Sequence, residues 1–238
     1  MVNKIRYSYC LYYCFLFVIF FVFFSQVHPL LPFDTDDWKY AGLARAPYPT
    51  FSTWNPTKIL PECLQPLAGM IAAYFFTPIL GDYITALVIT HSIVISLFII
   101  IYFYSVQKLL TWKFNISPYS GFCIISVLIL LHFLVLKTRP SNNDHLFYSP
   151  DVNCYYNYIV PNMLCASVAM WLMCYDVKEI KSNTIRSGIW FMTFLALFSN
   201  LFSTIILSAF IGAKLLLELF ECNKKECGWL KKYIKNNT

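Results

Sequence analysis

Charge is scarce in this sequence. Only 13% of its 238 residues are Asp, Glu, Lys or Arg, about half the share of a soluble domain, so a water-facing globule is excluded. Glycine is scarce too. With seven in the whole chain, no Gly-rich loop can cradle a nucleotide phosphate. No HExxH, no GxSxG and no charged heptad occurs, which removes the zincin, serine-hydrolase and coiled-coil readings. Cysteine is present, but its nine copies are scattered and mostly lie in apolar runs, where Cys behaves as a small hydrophobe. Cys222 and Cys227 have no partner pair of Cys or His that would complete a zinc site. Internal repeats of the transporter kind are absent. The net charge of +6 is read as loop charge obeying the positive-inside rule, not as a nucleic-acid footprint.

What is present is length of apolar run. The chain is 58% hydrophobic with a mean hydropathy of +0.58, and several runs approach the ~20 residues that cross a bilayer. Phe and Tyr, at 22 and 17 copies, suit lipid contact and interfacial belts. The expected fold is an all-α membrane protein of about six transmembrane helices, forming a single domain over 1–238. Span one covers Tyr7–Phe24; the bulky "FFSQVHPLLPF" after it offers no cleavage site, so it is read as uncleaved. A first outer loop of short surface helices then runs over about 25–82, with 66–80 too short to span. Spans two to four follow at Tyr83–Tyr104, Gly121–Leu136 and Tyr158–Cys174. Ser187–Phe220 would be about 50 Å long as one helix. Its middle, "FSNLFST", is polar, and a hairpin of two short spans is expected there.

Charge sorts the sides. With six spans, one side carries Lys4, Arg6, Lys108, Lys113, Lys178, Lys181, Arg186 and the lysines of the basic tail 222–238. The other carries Lys39, Arg45, Lys58, Lys137 and Arg139. Both termini are therefore expected in the cytoplasm of a multi-pass protein of a bacterial inner membrane. Lys214 and Glu218 stand four apart in the last span, at the spacing of a helical ion pair.

The same topology gathers the chemistry on the outer face. Asp34, Asp36 and Asp37 fall within about ten residues of the first span's end, beside Phe33, Trp38 and Tyr40. Carboxylates at headgroup depth are costly. One there could serve as a general base with a raised pKa, or the group could hold a divalent cation, Mg or Mn, through oxygen. Asp144 and His145 offer further acid, base or metal groups. Pro161 in span four frees backbone groups that must be met locally; Asn157 and Asn162 could meet them, or face a lipid-phosphate cavity. His91 and His132, inside spans, are read as satisfied bundle residues.

An uncleaved span, then "DTDDWKYAGLARA" at the start of a long outer loop, then "WNPTKILPE", resembles the layout of GT-C-type membrane glycosyltransferases. "YYNYIVPNML" and "FSNLFST" are similar to later outer-end segments of that group, so the resemblance covers roughly residues 7–204. Family members usually carry eight or more spans, so this chain is read as a short or truncated one. The resemblance implies inverting transfer of a sugar from a polyprenyl-phosphate donor to a glycan, lipid or protein acceptor. Asp36 or Asp37 would be the catalytic base, with Asp37 preferred for a contact with Trp38. Lys58, then Arg45, then Arg139 would meet the phosphate, with Glu62 orienting Lys58. Asp34, Tyr156, Asn157 and Asn200 complete the substrate-binding set, and Trp38, Trp54 and Tyr48 would stack on sugar. Lipid bilayer and lipid-linked donor are the implied partners, with room for a membrane partner subunit. A transporter, flippase or scaffold component is the competing reading.

Overall fold

A computed structural model describes residues 2–42, 56–134, 151–175, 180 and 182–237, with side chains described over 7–42, 57–133, 151–175, 180 and 182–220. Every regular element among them is helical. Helix α1 is Val2–Val22 and continues through a π-helical turn, Phe23–Val27. A short α2, Thr35–Gly42, follows. Then come α3 (Ile59–Leu80), α4 (Tyr83–Trp112), α5 (Pro118–Leu134), α6 (Val152–Cys174), α7 (Asn183–Leu197) and α8 (Leu201–Asn237). Five segments are long and apolar enough to cross a bilayer: Tyr7–Val27, α3, α4, α6 and Leu201–Phe220. Helix α5 is apolar but shorter, and α7 has 15 residues.

Two boundaries differ from expectation. The segment 66–80, expected as a short interfacial piece after a polar loop, is joined to Ile59 as one 22-residue helix. Pro61 lies in the first turn, where no intrahelical donor is needed, and Pro66 is accommodated inside. The third expected span, Gly121–Leu136, is met by α5, which starts earlier, at Pro118, and is described as far as Leu134.

The chain reverses at places its sequence marks. Gly81 takes a left-handed φ of 75°, which glycine permits without penalty. Asp82 then caps α4, accepting from the Thr85 amide at 2.7 Å and the Thr85 hydroxyl at 2.6 Å. The expected hairpin also forms: α7 ends at Leu197 and α8 starts at Leu201. Cys165 of α6 meets Ala196 of α7, Asn200 reaches back to Asn157, and Ile206 lies level with Asn162 and Ala166. So α7 runs against α6 and α8 runs back along it. On α8, Lys214 and Glu218 are both exposed and form no ion pair.

The bundle is organised around α4. Tyr13 of α1 donates to the Phe103 carbonyl, and Phe20 stacks on Phe103, so α1 lies against α4. His91 meets Tyr156 near one end of α6, and Trp112 meets Tyr175 near the other, so α4 and α6 are parallel. Lys108 sits between the rings at that second end, 4.4 Å from the Tyr175 centroid and 5.1 Å from Trp112, a cation–π clamp. Phe24, Ile95, Ile99, Tyr155 and Leu164 form the core. Large side chains such as Leu11, Phe15, Trp190, Phe191 and Leu217 point outward. Such a surface is stable against lipid tails, and the chain is an integral membrane protein in contact with the bilayer.

Buried hydroxyls obey the same solvent. Thr90, Ser92, Ser105, Ser167 and Thr193 each donate to the carbonyl four residues back, which satisfies them without a partner helix. At Gly69 the backbones of α3 and α2 come closest. A Cβ there would stand 1.8 Å from the Ala41 carbonyl oxygen, and backbone cannot yield as a side-chain tip can. Gly69→Ala is expected to cost about 1–3 kcal/mol, as overpacking does, by lifting α2 from α3. Thermal unfolding in detergent measures it, and a variant as stable as wild type would show that α2 does not rest on Gly69.

Candidate functional site

One end of the bundle collects the polar groups. There the last turn of α1, all of α2, the starts of α3, α4 and α6 and the α7–α8 turn come together. Two of the described π-helical turns, Phe23–Val27 and Tyr155–Ile159, face each other through Phe24 and Tyr155. π-turns are frequent at functional sites because they trade helix regularity for a local bulge.

Asp37 is the centre. It is fully buried and accepts three backbone amides: Phe33 at 2.8 Å, Asp34 at 3.4 Å and, 116 positions away, Asn153 at 2.7 Å. The Asn153 amide is shared with Asp151, which caps α6 and accepts it at 2.7 Å. Asp37 and Asp151 are hydrogen-bonded through their side chains. Burial first, then the Asp151 hydrogen bond and charge, push the Asp37 carboxyl up to about 6, against the opposing pull of the Phe33 and Asn153 amides. The two acids thus meet across the gap between α2 and α6, where Asp151 makes a charge on Asp37 more costly.

A narrow open cleft lies beside them between α2, α3 and α6, with room inside for about one water, about 10 Å³. Tyr40, Glu62, Gln65, Asn153 and Asn157 line it, with Pro61 and Pro66. Asp37 is not on its wall; its partner Asn153 is. Gln65 is 1% exposed, and its Nε2 has no partner among the described residues. Asn157 donates from Nδ2 to the Asn153 carbonyl at 3.0 Å. Asn200 donates from Nδ2 to the Asn157 carbonyl at 2.7 Å. That carbonyl is the one an α-helix would bond through residue 161, and residue 161 is proline. The α7–α8 turn therefore supplies the donor that Pro161 lacks. A second, larger cavity of about 250 Å³ lies between Tyr102, His132, Asn162, Met163 and Ile206.

The expected residues divide into three groups. Asp37, Glu62, Asn157 and Asn200 are brought together. Asp34, Asp36 and Trp38 lie on α2 or just before it and are exposed; Asp34 caps the helix start through the Thr35 amide at 2.5 Å. The expected Asp37–Trp38 contact is replaced by the Asp37–Asp151 pair, because consecutive residues on a helix point about 100° apart. Lys58 is half-buried one turn before Glu62. Tyr156 is not at the cleft: it is fully buried, with its hydroxyl 2.8 Å from His91 Nδ1. His91 thus has one bundle partner, as expected, while its Nε2 has none among the described residues. Arg45, Tyr48, Trp54, Arg139, Asp144 and His145 lie outside the described residues. No group of three His, Cys, Asp or Glu side chains suited to a metal ion occurs among the described residues, so Asp34, Asp36 and Asp37 are not assembled as a cation site.

Sequence reading missed Asp151, Asn153, Tyr40 and Gln65. Asp151 carried a signal: an acid directly before an apolar helical run is an N-cap pattern. Compared with known protein families, curated proteins and solved structures, the chain matches none.

Two outcomes follow from this geometry. Asn200→Ala leaves the Asn157 carbonyl unmet in an apolar setting and is expected to cost about 1–3 kcal/mol, read as a lower unfolding temperature; no loss would mean another donor serves Pro161. The raised Asp37 carboxyl also links docking to pH. Its folded-state pKa, about 6, lies above the ordinary 3.8, so proton binding favours the folded chain. That contribution is complete below about 3.9 and fades as pH rises through about 6. Wild type is expected to lose thermal stability between about pH 4 and 6.5 more than Asp151→Asn does; parallel curves for the two would show that Asp151 does not raise the Asp37 carboxyl.

Proposed function

We propose that the chain is a membrane glycosyltransferase of the GT-C type, moving a sugar from a polyprenyl-phosphate donor to a hydroxyl of a glycan, lipid or protein acceptor at the outer face of a bacterial inner membrane. The observation that carries this reading is the Asp37–Asp151 pair beside an amide-lined cleft at a helix-bundle end. Transfer to a hydroxyl needs a base whose pKa lies near the working pH, and a buried carboxyl paired with another acid is tuned toward it. Asp37 is the base in this scheme and Asp151 its positioning residue. The acceptor proton passes to the Asp37 carboxylate as the acceptor oxygen attacks the sugar carbon and the lipid phosphate leaves. Because Asp37 is sealed behind its amide donors, α2 must shift from Asn153 to admit the acceptor. Lys58, with Arg45 and Arg139, remains the proposed phosphate contact.

The test is transfer from a panel of polyprenyl-phosphate sugars by purified protein in nanodiscs. Asp37→Asn is expected to lower kcat about 10²–10⁴-fold, and Asp36→Asn, whose exposed carboxyl lacks these partners, less. In wild type, transfer should rise with pH through about 6, the value to which Asp37 is pushed. In Asp151→Asn that limb should move to lower pH, since Asp151 raises the Asp37 pKa. An unshifted limb would remove the pair from the chemistry, and no transfer by folded wild type would remove the activity.

A further inference from the structure

Asn162 is a polar side chain whose expected structural duty is done by another residue. The sequence offers it as a partner for the backbone groups that Pro161 frees, but Asn200 meets the exposed Asn157 carbonyl at 2.7 Å. Asn162 instead lines the larger cavity, near the midpoint of the 23-residue span Val152–Cys174. Its amide makes no hydrogen bond among the described residues. In the hydrocarbon interior no water meets such a group, and an unmet amide is costly. Polar side chains at that depth face a cavity or a pathway that uses them.

The cavity holds about 250 Å³, far more than one water needs. Four helices wall it: Tyr102 from α4, His132 from α5, Asn162, Met163 and Ala166 from α6, and Ile206 from α8. Asn162 and Ile206 are exposed although they line it, so it opens on the lipid-facing surface. The His132 ring is fixed. Its Nδ1–H donates to the Leu128 carbonyl at 2.8 Å, and it stands edge-on to Tyr102 with centroids 5.7 Å apart. The Tyr102 hydroxyl makes no hydrogen bond among the described residues. Two open hydrogen-bonding groups on different helices thus line one cavity that also has aromatic wall.

We infer that this cavity binds the head of a lipid quinone, an uncharged flat ring with an oxygen on each of two sides, entering from the bilayer. The inference does not rest on the transfer reading. Depth selects the class. A phospholipid or a polyprenyl phosphate keeps its charge at the membrane surface and would bring only hydrocarbon to the midpoint of α6, which leaves Asn162 unmet. A lipid with a free hydroxyl is likewise held by it at the watery interface. A quinone has no group that anchors it there, so its oxygens reach mid-span at little cost. One carbonyl oxygen accepts from Asn162 Nδ2 and the other from the Tyr102 hydroxyl, a pairing that a single-oxygen lipid cannot make. The rings of Tyr102 and His132 and the Met163 thioether suit a planar ring as neighbours. The tail leaves through the opening beside Ile206.

The experiment is thermal unfolding of the full chain in phosphatidylcholine nanodiscs, titrated with a geranylated naphthoquinone and a geranylated benzoquinone. Geranylgeraniol and dioleoylglycerol, which carry chains and hydroxyls but no quinone ring, are the controls. At least one quinone is expected to stabilise wild type at a concentration about tenfold or more below either control. Asn162→Leu should unfold at the same or a higher temperature without ligand, and should need about tenfold more quinone for the same shift. Ala166→Phe keeps both polar groups but fills the space, and should lose the shift; it serves if the leucine variant does not fold. Four results would overturn the inference. One is no quinone-dependent shift in wild type. Another is geranylgeraniol acting as well as the quinones, which would make this a site for chain or hydroxyl. A third is an unchanged titration midpoint in Asn162→Leu or Ala166→Phe. The last is a ligand-free Asn162→Leu that is markedly less stable or changes its oligomer size, which would show that the amide meets protein.

Discussion

A polar group inside a bilayer has no water to fall back on, and this fold is arranged around that constraint. Buried hydroxyls turn onto their own helices. A proline in α6 is tolerated because a turn two helices later brings an asparagine to the carbonyl it exposes. The hairpin between α7 and α8 is held at its tip by that bond, by the Leu60 amide donating to the Phe198 carbonyl at 3.0 Å, and by Thr204 reaching Leu197 at 3.0 Å. Each bond answers a local need for a donor or acceptor. Together they fix where α3, α6 and the hairpin meet, and that meeting point forms one wall of the cleft beside Asp37.

Asp37 is the most demanding case. An isolated carboxylate buried at this end would be too costly to keep charged. Three amide donors lower the cost of the charge, and the neighbouring Asp151 raises it again, so the carboxyl settles near 6. A purely structural carboxylate is better served by amides alone, which depress the pKa and secure the charge. A second acid beside it works against that end. The pairing makes sense where a proton has to come and go near neutral pH, and it makes the seat of α2 on α6 depend on the same proton that the chemistry would use.

Apolar run length made the helical class legible, and the polar "FSNLFST" marked the α7–α8 reversal in advance. The residues of α3 were harder to read: Pro61 and Pro66 suggested interruptions, yet one falls in the first turn and the other is absorbed, so two short pieces became one long helix. Half of the site could be read from chemistry alone. Acids next to a span end are conspicuous, and Asp37 was found that way; Asn157 was weighed beside Pro161, while Glu62 and Asn200 came with the family resemblance. Tyr156 was drawn in by adjacency to Asn157, but neighbours on a helix face different sides, and its ring turned to His91. Asp151 and Gln65 escaped because what singles them out is their partners or their lack of one, and partners 114 positions apart leave no spacing to read.

Gln65 and Asp37 are opposite answers to burial at the same bundle end. Asp37 has every oxygen engaged, by backbone and by another acid, so the chain itself completes it. Gln65 is left incomplete although Asn153 and Asn157, on the facing wall, have donors and acceptors bonded to each other. The close backbone contact at Gly69 holds α3 against α2. The gap between the two walls is thus set by helix packing and not by the polar side chains that line it.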